Sequence, residues 1–400
     1  MKESGQISMK VIGVGGAGSN IVDRLMLSNP SGVQLTVINT DHQALANSPV
    51  IDKRCIGESI TRGLGASGDP EIGKEAALAD KTELEAMVKG VDLLFIAAGL
   101  GGGTGTGIAP VLAEVAAQQG STVIAFVTLP FTIERATRAK VAKSGLGNLR
   151  QVANAVIPLP NDLLVQVIDG NASLLDAFSQ ADAWIEKGIT SIWKMMSKTG
   201  LMNLDYSQLR QVFSNRAGKT LFGLGEGSGE NAAIDAIEEL KLCPLLHTPE
   251  FSKKADHLLV NLIGGANLGI SETQSIMESV TDAFGKEANV VMGAVIDESL
   301  GDKVEICVIG TSDMSDVSIV RGRKRSVPIP KVPDLELLTT AAKKENPKPV
   351  HKKRIKIQQD EFAFNEGEPR GEFEDTMGYI FEGQDLDAPT YLRRGVKVPV

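Results

Sequence analysis

Ala98–Gly107 reads AGLGGGTGTG, with six glycines and two threonines in ten residues. Backbone with almost no side chains lets main-chain N–H groups close around a bulky anion, and phosphate is the anion that uses such a cradle. A second stretch, GVGGAG (Gly13–Gly18), fits G-x-G-x-x-G through Gly13, Gly15 and Gly18. Asp41 follows in NTD, about where a ribose-binding acid stands in a dinucleotide fold. Read alone, GVGGAG supports an NAD-dependent oxidoreductase. Two glycine loops change that reading: a dinucleotide needs one glycine turn for its pyrophosphate, whereas a second, richer loop surrounds the phosphate tail of a mononucleotide from another side. No G-x-x-x-x-G-K-[ST] occurs, so the chain is not a P-loop enzyme. No lysine sits in the rich loop, which leaves main-chain amides, a helix dipole and Mg²⁺ to neutralise phosphate, with Thr104 and Thr106 adding hydroxyls.

The flanks say which elements must hold these loops. VDLLFIAAG before the rich loop is an apolar run of buried-strand length, and IAPVLAEVAAQQG after it has helical spacing and a glycine stop. Strand, glycine loop and helix together make a phosphate site at a helix N-terminus. Strands are expected at 8–14, 34–39, 52–57, 92–98, 122–130 and 154–160, with helices between several of them, which predicts a doubly wound parallel sheet with ligands at the carboxyl ends of its strands. A long helical stretch over Ser173–Lys198 follows, with Trp184 and Trp193 on its apolar face. The spacing then predicts helices over Leu209–Leu224 and Glu230–Leu240, a strand at 257–265, a helix over Ser271–Phe284 and strands at 289–298 and 302–311. Two strand groups joined by one long helix imply two domains with a helical spine.

Composition narrows the class. The chain of 400 residues is 42% hydrophobic and carries a formal net charge of −9, ordinary globular material that argues against a general nucleic-acid binder. Cys55, Cys243 and Cys307 are scattered and lack metal spacing, which reads as buried thiols in a reducing compartment. The four histidines form no ligand cluster. There is no apolar signal core at the N-terminus and no run of membrane-spanning length, so a cytoplasmic protein is expected. After about Asp316, Arg321–Lys356 carries twelve Lys/Arg against three Asp/Glu, and Asp360–Asp387 ten Asp/Glu against one Arg. Opposite charge blocks of this kind read as a disordered tether, RGRKR (Arg321–Arg325) included, and the Leu, Tyr and Val of the last stretch as a docking peptide.

GGGTGTG at Gly101–Gly107 resembles the signature of the tubulin/FtsZ superfamily, and the chain is similar to its FtsZ branch from about Ser8 to Thr311. The resemblance includes GVGGAGSN, NTD, GLGASGDPEIG, PFTIE with Arg138, PND, LLDAF and GLMNLD. It implies a Rossmann-like parallel-sheet GTPase domain (1–172), a central helix (173–199), a smaller α/β activation domain (200–316), a charged linker (317–385) and a docking peptide (386–400). It places Gly15, Gly16 and Asn20 near the phosphates and base, with Gly101, Gly102, Gly103, Thr104, Gly105, Thr106 and Gly107 around the phosphates. It implies that Ala66, Ser67 and Gly68 sense the γ-phosphate. By the same resemblance Glu134 and Arg138 would contact the ribose, Asn161 would meet guanine, Phe178 would stack on the base and Asp182 would accept from guanine N1–H and N2–H₂. A carboxylate there favours guanine, because adenine offers no such donor pair.

Asn203, Asp205 and Gln208 match the catalytic loop of the family, where Asp205 helps polarise the attacking water. Phe178 and Asp182 sit near the start of the spine helix and Asp205 lies beyond its end, a separation on the order of 35 Å at helical rise. If both ends act on GTP, they act on different molecules of it, and a heterologous head-to-tail contact of that kind makes filaments. The family carries a second acid where this chain has Gln208; glutamine orients water but brings no charge, which predicts slower turnover and longer-lived polymers. A copolymerising, low-turnover paralogue is the alternative that Gln208 supports. A smaller departure is Leu129, where a basic residue is common. LDAPTYLRR (Leu386–Arg394) is similar to the family tail that docks on membrane tethers and other division proteins, here through Asp387–Arg394. The expected activity is assembly-dependent GTP hydrolysis at the division site, with GTP/GDP and Mg²⁺ bound and copies of itself as partner.

Overall fold

A computed structural model describes residues 7–28, 32–164, 173–197, 204–214, 218–247, 255–284, 288–312, 380–381 and 384–385. Asn203, the docking peptide at Asp387–Arg394 and, apart from 380–381 and 384–385, the charge blocks lie outside the described residues.

The first half alternates strand and helix: β1 (Met9–Val14), α1 (Gly15–Leu27), β2 (Val33–Asn39), α2 (His42–Asn47), β3 (Asp52–Cys55), α3 (Glu58–Thr61), α4 (Pro70–Ala79), α5 (Lys81–Val88), β4 (Leu93–Gly99), α6 (Thr104–Gln118), β5 (Thr122–Leu129), α7 (Ala136–Val152), β6 (Ala155–Pro160) and α8 (Asn161–Leu164). The six strands form one sheet in the order β3-β2-β1-β4-β5-β6, every pair parallel. Strands covered by helices on both faces read as unbroken apolar runs, which is why LLFIAA and TVIAFV were legible. Alternate residues separate the two faces. Val11, Phe95, Ile124 and Phe126 pack toward α1 and the spine, whereas Ile12, Ile96, Ala125 and Val127 pack toward the helices of the other layer.

The spine helix α9 (Leu174–Ser197) leads to α10 (Tyr206–Val212), β7 (Lys219–Ser228), α11 (Ala232–Leu242), β8 (His257–Gly264), α12 (Ile270–Phe284), β9 (Asn289–Ile296) and β10 (Lys303–Ser312). The second sheet has the order β7-β10-β8-β9, with β8 and β9 parallel and the other pairs antiparallel. One face packs against α11 and α12, the other against α9, and that second core is shared with the first sheet. Phe126 of β5 meets Phe222 of β7 edge-on, with ring centroids 5.7 Å apart, beneath Gly188 of α9, where a Cβ would strike both rings. The remaining described pairing is a two-residue ladder, β11 (Ile380–Phe381) with β12 (Gln384–Asp385), which falls inside the stretch read as a tether.

The helix expected over Leu209–Leu224 is corrected. α10 ends at Val212, and β7 begins at Lys219. Gly223, Gly225 and Gly227 recur with period two, and a Cβ at Gly225 or Gly227 would collide with backbone carbonyls of Ala236 or Ala232 on α11. The glycines thus let a helix lie flat on the strand, and their helix-breaking cost is the signal the leucine spacing obscured. Cys55 is also half-buried rather than buried, while Cys243 and Cys307 are buried, and enclosure pushes the Cys307 thiol up to about 12. Gly225→Ala is expected to destabilise the chain by about 1–3 kcal/mol through overpacking, read as a lower urea midpoint at unchanged slope.

Candidate functional site

The topological switch of the first sheet lies between β1 and β4, whose following connections run to opposite sides and leave a crevice at the carboxyl ends of the strands. A cleft of about 320 Å³ occupies that place. Its floor is Gly15 and Gly16 after β1 and Leu100–Gly105 after β4. Its sides are Thr128 near the end of β5 and Pro130 just after it, Glu134 and Arg138, Asn161 after β6, and Phe178 on α9.

The glycines of the rich loop divide by what surrounds them. A Cβ at Gly103 would meet Ala66 and the Asp69 carbonyl at 2.8 Å, and one at Gly107 would collide with the Pro70 carbonyl, so these residues let α6 press against α4. At Gly102 and at Gly16 nothing of the protein stands within 4 Å of where a Cβ would be. No packing demand explains bare backbone there; it borders space in the cleft. Gly15 is at φ +72, with the amide nitrogen of Gly105 3.2 Å from its would-be Cβ, so the two loops interlock across the floor. The first amides of α6 have no carbonyl one turn back and its N-cap, Gly103, offers no side chain, so an uncapped positive helix end faces the cleft.

The hydroxyls have different tasks. Thr104 lines the cleft and shares a hydrogen bond with Thr40 at 2.7 Å, tying the end of β2 to the loop. Thr106 is buried and its Oγ1 accepts from the Gly101 amide at 2.9 Å, so it shapes the loop from behind. The Asp41 carboxylate accepts from the Gln43 and Ala44 amides as the N-cap of α2 and does not line the cleft.

At the other end of the cleft, Asn161 is 4% exposed and its Oδ1 has no hydrogen-bond partner. A buried acceptor without a donor is costly unless a ligand or water supplies one, and this one lines the cleft. Phe178 is 38% exposed and packs edge-on against Phe131, centroids 5.1 Å apart, leaving a ring face for a flat ligand. Glu134 and Arg138 form an ion pair one helical turn apart. Asp182 lies one turn beyond Phe178. Burial pushes its carboxyl up to about 7, with Arg24 nearby pulling the other way. Arg24 itself clamps α1 to α9, donating to Glu186 at 3.2 Å and Ser179 at 3.0 Å.

Of the expected binding residues, Gly15, Gly16, Gly101, Gly102, Gly103, Thr104, Gly105, Glu134, Arg138, Asn161 and Phe178 line this one cleft. Asn20, Ala66, Ser67, Gly68, Thr106, Gly107 and Asp182 do not. Ala66 is buried against Gly103, and the neighbouring loop holds Ser67 at φ 49 and Gly68 at φ 81. Phe131 and Thr40 are contributors that sequence reading passed over; PFTIE and NTD were the available signals.

Asp205 is far from this cleft. It caps α10, accepting from the Ser207 amide at 3.2 Å, and Gln208 Oε1 accepts from the Asp205 amide at 3.2 Å in return. Tyr206 beside it donates to the Asp92 carbonyl at 2.6 Å and bonds Thr122 at 3.0 Å, at the amino ends of β4 and β5. Thr128 at the carboxyl end of β5 lines the cleft, so roughly 20 Å of strand separates the two regions.

Residues 8–169 match the model of the tubulin/FtsZ family GTPase domain, and residues 218–313 that of the FtsZ family C-terminal domain. Among solved structures, the chain is similar to an empty FtsZ dimer of M. jannaschii (34% identity, 78% of this chain and 89% of that one, TM-score 0.72). It also shares its fold with CetZ2 of Haloferax volcanii, described as a GTPgS-bound protofilament (23% identity, 76% and 94% covered, TM-score 0.64). CetZ1 of the same organism, a GDP-bound monomer, gives 20% identity, 78% and 96% coverage and a TM-score of 0.65.

A carboxyl raised to about 7 in the fold and near 3.8 in the unfolded chain keeps a proton that the unfolded chain has lost. Stability therefore falls as pH rises from about 4 to 7, by at most about 1.4 kcal/mol per pH unit, and the loss levels off above that window. Asp182→Asn is expected to flatten this slope in the nucleotide-free protein, measured as melting temperature against pH.

Proposed function

The chain belongs to the tubulin/FtsZ family, and on that premise we propose that it hydrolyses GTP in a site completed by a second copy of itself, polymerising head to tail as a division-ring filament. The family carries a GTPase domain, and that is the coarse activity of this chain. The finer reading rests on one observation: the cleft and Asp205 stand at opposite ends of the parallel strands.

In this reading the phosphates lie on the open backbone at Gly16 and Gly102 and at the N-terminus of α6. The base stacks on Phe178 and gives hydrogen bonds to Asn161 Oδ1 and Asp182. Guanine suits two acceptors better than adenine does. Mg²⁺ fits as an ion carried chiefly by the phosphate oxygens, because among the described residues no group of three His, Cys, Asp or Glu gathers to hold one. Bound there, it would neutralise charge on those oxygens.

Hydrolysis needs a group that orients water in line with the γ-phosphate, and Asp205 cannot reach its own. Supplied by the next subunit, its carboxylate would take that place, with Asn203 as the other expected residue of that loop. The rim of the cleft supports a subunit contact: Ile133 and Leu175, each more than three-quarters exposed, stand next to the lining residue Glu134 and one turn before Phe178 on α9. The protofilament and dimer described for the CetZ2 and FtsZ structures point the same way. Asp387–Arg394 would dock the filament on tethers and other division proteins. None of the described helices is long and apolar enough to cross a membrane.

A second reading, a slow or copolymerising paralogue, is favoured by Gln208, whose amide oxygen is occupied by the α10 cap and which brings no charge to the water.

Phosphate release and pelleting with GTP and Mg²⁺ across protein concentrations test the proposal. Specific activity is expected to rise from near zero above a critical concentration, and Asp205→Ala to lose about 10²–10⁴ of it while retaining nucleotide binding. Activity independent of concentration would overturn the shared site. Gln208→Asp is expected to raise turnover per assembled subunit; no rise would mean that the missing acid is not what limits it.

A further inference from the structure

We propose that Asp162 is a positioning residue, a clasp that holds the ribose-side wall of the cleft against the tension of a strained backbone residue within it. The inference rests on the nucleotide reading of the cleft and adds a residue outside its lining.

That wall is the segment from Phe131 to Arg138. Both carboxylate oxygens of Asp162 accept from the Thr132 amide at 3.1 Å, and Oδ2 also accepts from the Thr132 hydroxyl at 2.6 Å. Thr132 opens a single 3₁₀ turn ending at Glu134, whose Oε1 returns to the Phe131 amide at 2.9 Å. Glu134 then pairs with Arg138, and both line the cleft. Phe131 at the other side of Thr132 sets the edge-on contact with Phe178. One carboxylate thus ties the turn to the segment that carries Asn161, its neighbour in sequence and the buried acceptor of the cleft.

Arg135 explains why a clasp is needed. It lies between Glu134 and the first residue of α7, at φ 87 and ψ 143. Arg62 and Ser67, the other described non-glycine residues at positive φ, have values of 55 and 49, within the left-handed helical region. Arg135 is outside it, in backbone space that suits glycine almost alone, and such conformations persist where surrounding contacts over-determine them. The contacts on its N-terminal side are those of Thr132 with Asp162 and of Glu134 with Phe131. Without the clasp, the turn relaxes toward ordinary φ and carries Glu134 and Arg138 away from their places.

The test uses the full chain with Asp162→Asn, Arg135→Gly and the double variant; Asp162, Thr132 and Arg135 are exposed, so the core is untouched. Two measurements are made: hydrogen exchange of amides 131–139 in nucleotide-free protein, and equilibrium binding of a fluorescent GDP analogue. Asp162→Asn is expected to speed exchange in that segment and weaken binding about tenfold, the loss of a charge-assisted hydrogen-bond pair. Arg135→Gly removes the strain, so in the Asp162→Asn background it is expected to restore both readouts most of the way, which a merely structural loss would not allow. Unchanged exchange in Asp162→Asn overturns the clasp. Faster exchange with unchanged binding overturns its positioning role, and failure of Arg135→Gly to rescue overturns the part assigned to strain. If the unaltered chain does not bind the analogue, the nucleotide reading fails, and the exchange comparison still decides whether the clasp exists.

Discussion

Six strands running in one direction impose the arrangement of everything else in the first lobe. Each must be followed by a crossover, so one edge of the sheet collects all the loops that leave strands and the opposite edge all the loops that enter them. The leaving edge, at the reversal between β1 and β4, forms a crevice lined by backbone and the start of α6. The entering edge is where α10 docks, through Tyr206 on Asp92 and Thr122 and through the Phe213 carbonyl accepting from Asn154 at 3.2 Å. A parallel sheet therefore has two chemically different ends, and the chain has put bare backbone and an uncapped helix N-terminus on one and an exposed capping carboxylate on the other.

The glycine-rich loop shows how one sequence feature serves two physical needs. Gly103 and Gly107 are small because α4 and α6 approach too closely for a methyl group; Gly102 and Gly16 are small although the protein leaves room for one. The first need is met inside the fold; the second is not, since Gly102 and Gly16 border the open space of the cleft. Asn161 Oδ1 makes the same distinction for hydrogen bonds, since nearby polar groups of the loop find partners within the chain and it does not.

The central strands of the first sheet, β1, β4 and β5, can be read directly because burial on both faces makes their composition unambiguous, whereas the edge strand β3 (DKRC) is not buried in this way. β7 was misread because its period-two glycines are informative only once α11 is known to lie over them. Cleft-lining residues within contiguous glycine text, Gly101 to Gly105, stand out in the sequence, and the family resemblance adds Glu134, Arg138, Asn161 and Phe178 to the lining but also Asn20, Ala66, Ser67, Gly68 and Asp182, which lie outside it. What the sequence could not convey is which threonine faces the ligand: Thr104 and Thr106 are two apart at the start of a helix, and only the packing of α6 on α7, where Gly145 leaves space for Thr106, sends one inward. The spread in burial between Phe178 and Asp182, and the glycine-like backbone at Arg135, are likewise properties of the assembled layers.

The edge-on pair of Phe126 and Phe222 beneath Gly188 belongs to a core that the two sheets share, with Ile185, Ile189 and Trp193 of α9 packed into it. Such a core has no seam. Opening the lobes as a hinge would wet both aromatic rings and the apolar face of the helix between them. Sliding α9 along the second sheet meets the same obstacle, because Met195 is seated over Gly293, the two rings over Gly188, and Asn261 Nδ2 donates to the Ser191 carbonyl at 2.8 Å. A close-packed layer of this kind resists shear as well as opening, so a displacement of α9 is shared by both sheets.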